Sequence, residues 1–534
     1  MMTMAQLELP VRKWVPDWLG VVSMFAVILP VTMLNGTYTG SMLEVSNTLG
    51  TYSEDITMGY YAASAGMAMA YPIIAKVMSA VSSKVMLLVD LTLQFLLSWL
   101  CARSQNADML IVCSFFIGFL KGFLMMWGIH RMHKIFSPNN VRSEFYAYFY
   151  PLVYGGGQLS MIITAELAYH YDWKYMYYFM MSLLLVAILF VAICFRNDKP
   201  LQRIPLKVLH IREILVISTG ILMVMYVLNY GKVLDWMASP RICLYIAVAP
   251  MLIAFFIWLQ HHSRSPYVYL APLRQPKAIV GYFYMMLVMF FSTSTTLLTN
   301  YMTSILQVDA TRTYVLYIYL LPGYVLGAFI CFWWFRWQRW RFRFLIAGGM
   351  SCFALFFGML YFGISPDSTY EMLFLPIFIR GLGMLTLIIA FALFAVEDLQ
   401  FKYFPSNAFF LILSRSVLAP VIATSFYSNL LYRLQQHYIH SLAENFTLVD
   451  PQAAERYDQA LNSYLAQGHG YSEAAQMAVT SLNSILQQQA LLLALKEILG
   501  WLFVVSLVIA VISRFIPFHK TIRVRYAKTG DDMV

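Results

Sequence analysis

Charged side chains are scarce in this sequence. Asp, Glu, Lys and Arg make up 12% of its 534 residues, about half of the quarter that soluble domains carry. With 60% apolar and 16% aromatic residues beside them, an ordinary water-exposed globular surface is excluded. Cysteine is scarce too. The six thiols, Cys101, Cys113, Cys194, Cys243, Cys331 and Cys352, lie in or at the ends of apolar runs and show neither a disulfide framework nor zinc-ligand spacing. No glycine-rich phosphate loop or nucleotide motif is present, so the chain has no site for drawing energy from a nucleotide, and no cofactor is expected. The chain shows no catalytic constellation and no soluble signalling domain, which argues against an enzyme or a sensor. One i, i+3 histidine pair, His130 and His133, is flanked by Arg131 and Lys134. With no carboxylate or cysteine beside it, an interfacial role is expected there rather than a metal site.

Long apolar runs are abundant. In lipid every backbone N–H and C=O needs a partner within the chain, so runs of about twenty apolar residues read as spanning helices. The sequence predicts an all-α polytopic membrane protein of about fourteen such helices. Six are expected near 17–38, 57–79, 84–104, 107–134, 143–169 and 174–196, and two near 212–232 and 241–261. Six more are expected near 277–299, 313–336, 343–363, 371–396, 408–431 and 489–514. The organisation is therefore an N-terminal six-helix bundle over 1–196, a basic connector with two inserted helices over 197–262, and a C-terminal six-helix bundle over 263–534. The first run follows Arg12 and Lys13 and continues through Leu34-Asn35-Gly36-Thr37. It has no small-residue cleavage pattern, so it reads as a retained helix and not as a signal peptide.

The net charge of +10 sets orientation rather than marking a nucleic-acid site. Of the 36 Lys and Arg residues, about 25 fall on the side of the N-terminus. They include the clusters Arg196/Lys199/Arg203/Lys207/Arg212, Arg336/Arg339/Arg341/Arg343 and Arg514/Lys520/Arg523/Arg525/Lys528. Glu44, Glu54, Asp55, Asp309, Asp367 and Glu371 fall on the other side, so both termini are expected in the cytoplasm. One connection is long, the polar outer loop 431–488, with helical stretches at 451–465 and 471–486 around the turn Ala466-Gln467-Gly468-His469-Gly470. In the second stretch Ala475, Ala478, Val479, Leu482 and Leu486 recur at helical spacing, and their apolar face is expected to lie on the bundle or its surface.

An ionisable side chain at the centre of a spanning helix costs at least roughly 2.5 kcal/mol, so those within the runs are candidate sites. Lys121 lies near the middle of the fourth run, the depth at which transporters place substrate; binding a carboxylate or anion and simple snorkelling are both open. Glu166, near the outer end of the fifth run, reads as a proton carrier if buried or as a hydrated mouth residue. Asp90 reads as a structural lock of the inner gate through Lys76 or Lys84. Arg380, in the second-block counterpart of the fourth run, is either the basic member of a coupling pair or a tie to a backbone carbonyl. Arg415 is expected to reach Glu397 or Asp398 in a gate salt bridge. Tyr, Phe, Trp and Met are numerous enough to line a promiscuous cavity, but the sequence singles out no one aromatic.

The six-two-six pattern resembles the major facilitator superfamily in its fourteen-helix, drug:proton antiporter branch. Local residues carry the resemblance. They are the glycine-spaced fourth run through Gly118 and Gly122 into Ser137-Pro138-Asn139-Asn140-Val141-Arg142, and the aromatic entry Asp172-Trp173-Lys174-Tyr175-Met176-Tyr177-Tyr178. The second block adds Arg380-Gly381-Leu382-Gly383, then Gln489-Ala490, Ala494 and Glu497 after the long outer loop. That loop and last helix resemble the EmrB-type subunit of tripartite export pumps. The resemblance implies the major facilitator fold and a secondary active transporter, multi-pass in the inner membrane, exporting small amphipathic or hydrophobic compounds by proton-coupled alternating access. It also implies a HlyD/EmrA-like periplasmic adaptor and a TolC-like outer-membrane channel as partners.

The chain departs from that branch at several functional positions. Asn35 stands where the first helix of the branch carries an aspartate, and Ser114 where the fourth carries an arginine. The stretch from Pro72 to Lys84 lacks the glycine-aspartate-arginine signature, and Gly155-Gly156-Gly157 is followed by Ser160-Met161-Ile162 without the antiporter proline. These departures leave open an uptake or lysolipid-type carrier of the same fold acting without an adaptor, or a non-transport membrane protein. Lys121, Glu166, Arg380 and Asn35 are the coupling or substrate candidates. Asp90, Lys76, Lys84, Glu397, Asp398 and Arg415 are the gate or structural candidates.

Overall fold

The computed structural model describes residues 10–37, 42–137, 141–197, 210–337, 342–397, 399–445 and 451–516. Among these residues all regular structure is helical except one isolated bridge between Val11 and Phe195. That bridge clips the N-terminal segment to the end of a helix, Arg12 N–H donating to Cys194 O at 2.8 Å and Arg196 N–H to Pro10 O at 2.9 Å. The helices are α1 (Asp17–Thr37), α2 (Met42–Leu49), α3 (Ser53–Ala80), α4 (Ser83–Arg103), α5 (Ala107–Phe136), α6 (Arg142–His170) and α7 (Lys174–Cys194). A hairpin of α8 (Ile211–Tyr230) and α9 (Pro240–His262) follows. Then come α10 (Pro276–Ser292), α11 (Thr295–Ser304), α12 (Ala310–Val315), α13 (Leu320–Trp337), α14 (Phe342–Gly363) and α15 (Phe374–Phe394). The chain closes with α16 (Phe404–Ile412), α17 (Ala419–Asn445), α18 (Pro451–Ala466) and α19 (Tyr471–Phe515).

Twelve stretches among the described residues are long and apolar enough to cross a membrane. Helices α3 and α6, of 28 and 29 residues, are long enough but are not among them. They carry Glu54, Asp55 and Lys76, and Arg142, Glu144 and Glu166. Both sit between other helices: α3 packs on α5, α8 and α16, and α6 on α1, α13 and α15. The α8–α9 hairpin leans on α3 and α17, leaving Leu244, Met251, Phe255 and Trp258 exposed on α9. The basic connector positions Lys199, Arg203 and Lys207, the loop residues Pro138, Asn139, Asn140, Arg339 and Arg341, and the tail residues Lys520, Arg523, Arg525 and Lys528 lie outside the described residues.

Glycine lets two helix pairs touch backbone to backbone. A Cβ on Gly118 of α5 would stand 1.8 Å from Ala63 O of α3, and one on Gly66 of α3 would stand 2.0 Å from Phe115 O. Small residues at such a seam are how helices approach closely in lipid, where apolar burial supplies little drive. The second half repeats the device: a Cβ on Gly323 of α13 would meet Phe378 O of α15 at 2.4 Å, and one on Gly381 would meet Leu320 O at 2.8 Å.

Two breaks interrupt the spans. Between α10 and α11 the run Ser292-Thr293-Ser294-Thr295-Thr296 turns its hydroxyls back on the chain, Thr293 donating to Met289 O at 2.8 Å and Ser294 to Phe291 O at 2.7 Å, and so competes with the helix. Between α16 and α17 residues Leu413–Leu418 form a π-helical turn. Pro420 follows it, and its missing N–H leaves the carbonyl four residues earlier without a helical donor, which accounts for the widened turn.

The segment 431–488 differs from the sequence expectation. The stretch expected at 471–486 and the span expected at 489–514 are one unbroken helix of 45 residues, about 67 Å long. Its apolar face is covered by α18, Leu461 packing on Ala474 and Ala478, and not by the bundle, while Val479 remains exposed. The turn between α18 and α19 needs Gly468, whose φ of +93° suits glycine. Ala490 and Ala494 are fully buried in α19, and Glu497 accepts the Tyr438 hydroxyl at 2.8 Å.

Candidate functional site

Tyr146, Tyr150, Tyr154 and Gln158 recur every fourth residue along α6 and so form one stripe. All four are half-buried, whereas Phe145, Phe149, Val153 and Gly157 on the opposite faces are buried. The rings follow one another at centroid distances of 5.2 Å for Tyr146–Tyr150 and 6.3 Å for Tyr150–Tyr154. Tyr154 then meets Tyr324 of α13 at 6.1 Å. The stripe therefore faces the second half of the molecule, and its phenols supply apolar faces and polar tips in one place.

Two arginines of that second half flank the stripe. Arg415 stands on the π-turn, with its guanidinium 5.9 Å from the Tyr150 ring centre and Tyr71 and Tyr154 also near it. π-turns inside helices occur frequently at functional sites. Arg415 lies eleven residues into the span that starts at Phe404, about 16 Å. Arg380 on α15 is 4% exposed. Its Nη2 donates to the Ser292 carbonyl at 2.8 Å and to the Ser292 hydroxyl at 3.1 Å, so a cation caps the carbonyl end of α10 at the helix break. Tyr324 and Ser292 both touch Met384 Sδ, at 3.7 and 3.1 Å, which links Arg380 to the tyrosine stripe.

Lys121 lies fourteen residues into α5, about 21 Å from either end, and is 6% exposed. It lines a narrow, partly open cleft of about 20 Å³ with Leu34, Tyr60, Ser64, Met67 and Gly118. Tyr60 neighbours Tyr154, so the cleft adjoins the stripe. At the basic end the Arg142 guanidinium lies 4.2 Å from the Phe404 ring centre, joining α6 to α16. At the far end Glu44 of α2 neighbours Tyr314 of α12, and burial pushes its carboxyl above the usual carboxylate range.

The remaining expected residues are placed as follows. Glu166 is exposed and pairs with His170 at 3.1 Å, so the burial that a raised affinity for protons needs is not found there. Asp90 is 4% exposed and lies beside Gln94; neither Lys76 nor Lys84 pairs with it. Lys84 instead donates to Ala192 O at 2.7 Å and Phe195 O at 3.2 Å, closing the carbonyl end of α7. Lys76 meets His210 Nε2 at 3.2 Å. Burial and the Lys76 charge push that imidazole down, so it accepts from the ammonium. Glu397 pairs with Lys277 at 3.1 Å, within the second half, and not with Arg415. Asp398 and the Asn35 side chain lie outside the described residues. Among the described residues no group of three His, Cys, Asp or Glu side chains gathers to hold a metal ion.

The stripe and Lys277 escaped the sequence reading, and Arg142 and Glu44 entered it without a functional role. The four-residue spacing of Tyr146, Tyr150, Tyr154 and Gln158 was the available signal for the first of these.

Two helical halves meeting around a polar interior define a polytopic membrane transporter. The sequence model of the Major Facilitator Superfamily matches residues 21–424, and the chain belongs to that superfamily. Among solved structures it is similar to a proton dependent oligopeptide transporter, with 14% identity over 92% of this chain and 97% of that one and a TM-score of 0.53. Tetrameric PepTSo2 gives 14% identity, coverage of 93% and 96% and a TM-score of 0.50. The nucleoside transporter NupG gives 12%, 78% and 92%, and 0.47. At such identities the likeness is one of fold. No curated protein matches the chain significantly in sequence.

Proposed function

We propose that this chain is a secondary active transporter of the fourteen-helix, drug:proton antiporter branch, exporting small amphipathic compounds by alternating access. The observation that carries the reading is the meeting of the two halves along α6–α13 and α3–α16 around a tyrosine-lined interior. Different pairs face each other at the two ends: Arg142 lies over the Phe404 ring at one, and Glu44 lies near enough to Tyr314 to influence it electrostatically at the other. Releasing one set at a time opens the interior to one side only, which is what alternating access requires. On this reading α3 and α6 cross the bilayer with the twelve apolar stretches, and they are the least apolar because they line the interior rather than face lipid.

Residues 1–196 and 263–534 are the two bundles and 197–262 the insertion. The basic end faces the cytoplasm, which places both termini there and α18 outside, in an inner membrane. Protons are the coupling ion, Lys121 and Arg380 face substrate, and Glu166 with His170 lies at the hydrated outer mouth. Lys76, Lys84 and Glu397 fix helix ends at the basic side, and Asp90 is structural within α4. The outer hairpin of α18 and α19 supports an export direction through a HlyD/EmrA-like adaptor and a TolC-like channel. The test is accumulation of fluorescent amphiphiles in cells stripped of their major efflux pumps, with and without the chain, across external pH. Lower accumulation that an uncoupler abolishes is expected; raised accumulation in every condition would overturn export.

A further inference from the structure

We infer that the transported compounds are amphipathic organic anions, whose carboxylate or sulfonate is received by the guanidinium groups of Arg415 and Arg380 while the apolar body lies along the tyrosine stripe of α6. The inference rests on the transport reading above and names its substrate class.

Three guanidinium nitrogens, Nε and Nη1 of Arg380 and Nη1 of Arg415, are buried with no hydrogen-bond acceptor among the described residues. A buried charged donor without a partner is costly, and guanidinium is the group best shaped to take a planar carboxylate or sulfonate. The titratable neighbours of Arg415 are the phenols of Tyr154, Tyr150 and Tyr71, and those of Arg380 are Tyr317, Tyr324 and Tyr427. No carboxylate faces either arginine among the described residues. Of the described carboxylates, Glu397 holds Lys277, Glu497 holds Tyr438, and Asp90 lies on α4, which packs on α5 and α7. Lys121 lines the adjoining cleft.

The arrangement also decides against the opposite sign. Tyrosine faces attract cations, but here that role is already filled from within, with Arg415 against Tyr150 at 5.9 Å and Arg380 against Phe356 at 5.8 Å. A cationic ligand would add its own charge to theirs. The two arginines stand at different depths, about 16 Å from one end for Arg415 and about 9 Å from the other for Arg380. The link between them runs through Tyr150, Tyr154, Tyr324, Met384 and Ser292. An anion thus has one cation nearer the middle and one nearer the far mouth.

The test uses the full chain, purified in detergent, and three tritiated probes of one shape: 2-naphthoate, 2-naphthylmethylammonium and 2-naphthalenemethanol. 2-Naphthoate is expected to bind at least tenfold more tightly than the ammonium. Arg415→Gln and Arg380→Gln should each weaken naphthoate at least tenfold and leave the alcohol within twofold, and Arg415→Lys should recover part of the loss. Equal or tighter binding of the ammonium, or naphthoate binding untouched by both glutamine variants, would overturn the assignment. If those variants do not fold, the preference of the wild-type chain among the three probes decides alone. Proteoliposomes under an imposed pH or voltage gradient separate this inference from the transport reading. Naphthoate that binds selectively but is never moved refutes transport and keeps the anion site. Movement of the ammonium or alcohol with no preference for naphthoate does the reverse.

Discussion

Replacing Gly118 by alanine puts one methyl group where the backbone of a neighbouring helix already stands. The new Cβ would lie 1.8 Å from Ala63 O, 2.5 Å from its carbonyl carbon and 2.7 Å from its Cα. Carbon and carbonyl oxygen approach to about 3.3 Å at closest in helix seams, so α5 and α3 must separate by roughly 1.5 Å, and no side-chain rotation relieves a backbone clash. Overpacking by one methyl ordinarily costs about 1 to 3 kcal/mol, and a rigid obstacle places this site at the upper end. Gly348 in α14 is the internal control, since a Cβ there meets nothing within 4 Å and alanine gains about 0.5 to 1 kcal/mol in a helix interior. The two variants should therefore move in opposite directions, separated by about 3 kcal/mol or more. Thermal unfolding of the detergent-purified chain, followed by size-exclusion of a fluorescent fusion, reads the difference. Equal melting midpoints for Gly118→Ala and Gly348→Ala would refute the seam.

Other predictions address charge. Glu44 has its carboxyl raised by burial, so the folded form favours the neutral acid: its contribution is fully present below the ordinary value of 4.5 and is lost as pH rises through the raised one. Glu44→Gln should therefore match the wild type near pH 4 and gain in relative melting midpoint toward pH 7; parallel curves over that range would refute the sign. Lys277→Glu and Glu397→Lys should each destabilise by roughly 1 to 3 kcal/mol, and their combination should recover much of the loss in a double-mutant cycle; additive losses would mean the 3.1 Å pair contributes nothing. Glu166→Gln should leave membrane expression and the external pH dependence of transport unchanged, as befits an exposed mouth residue, and a flattened pH profile would return it to coupling. Asp90→Asn should leave the transport rate within about twofold if the residue is structural, a loss of 1.4 kcal/mol in the barrier being tenfold in rate.

The spanning helices were legible because lipid makes apolar length and helix nearly synonymous. Most of the expected ends lie within a few residues of α1, α4, α5, α7 and α9. The glycines at Gly118 and Gly381 were visible as a theme, and the structure gives them their reason as closely packed seams. Helix breaks were less legible. The serine and threonine run at 292–296 and Pro420 were both in view, but hydropathy alone does not register a lost N–H or a hydroxyl turned back on its own helix. Pairings of charges were the hardest. Arg415 was expected to reach Glu397 or Asp398, yet helix rotation turns it into the tyrosine stripe and leaves Glu397 to Lys277. Which face a helix presents depends on its neighbours, and a single sequence leaves neighbours unspecified except where, as on α6, the same chemistry repeats every fourth residue.

The unbroken course of α19 makes it a lever. The stretch from Tyr471 to Gln488 is eighteen residues, about 27 Å of helix at 1.5 Å per residue, and neither proline nor glycine interrupts it. A tilt of about 10° within the bundle would carry the tip near Tyr471 sideways by roughly 5 Å, and a push at the tip would return the same rotation to Ala490 and Ala494, packed in the bundle. Whatever touches the outer hairpin is thereby mechanically coupled to the second half of the molecule.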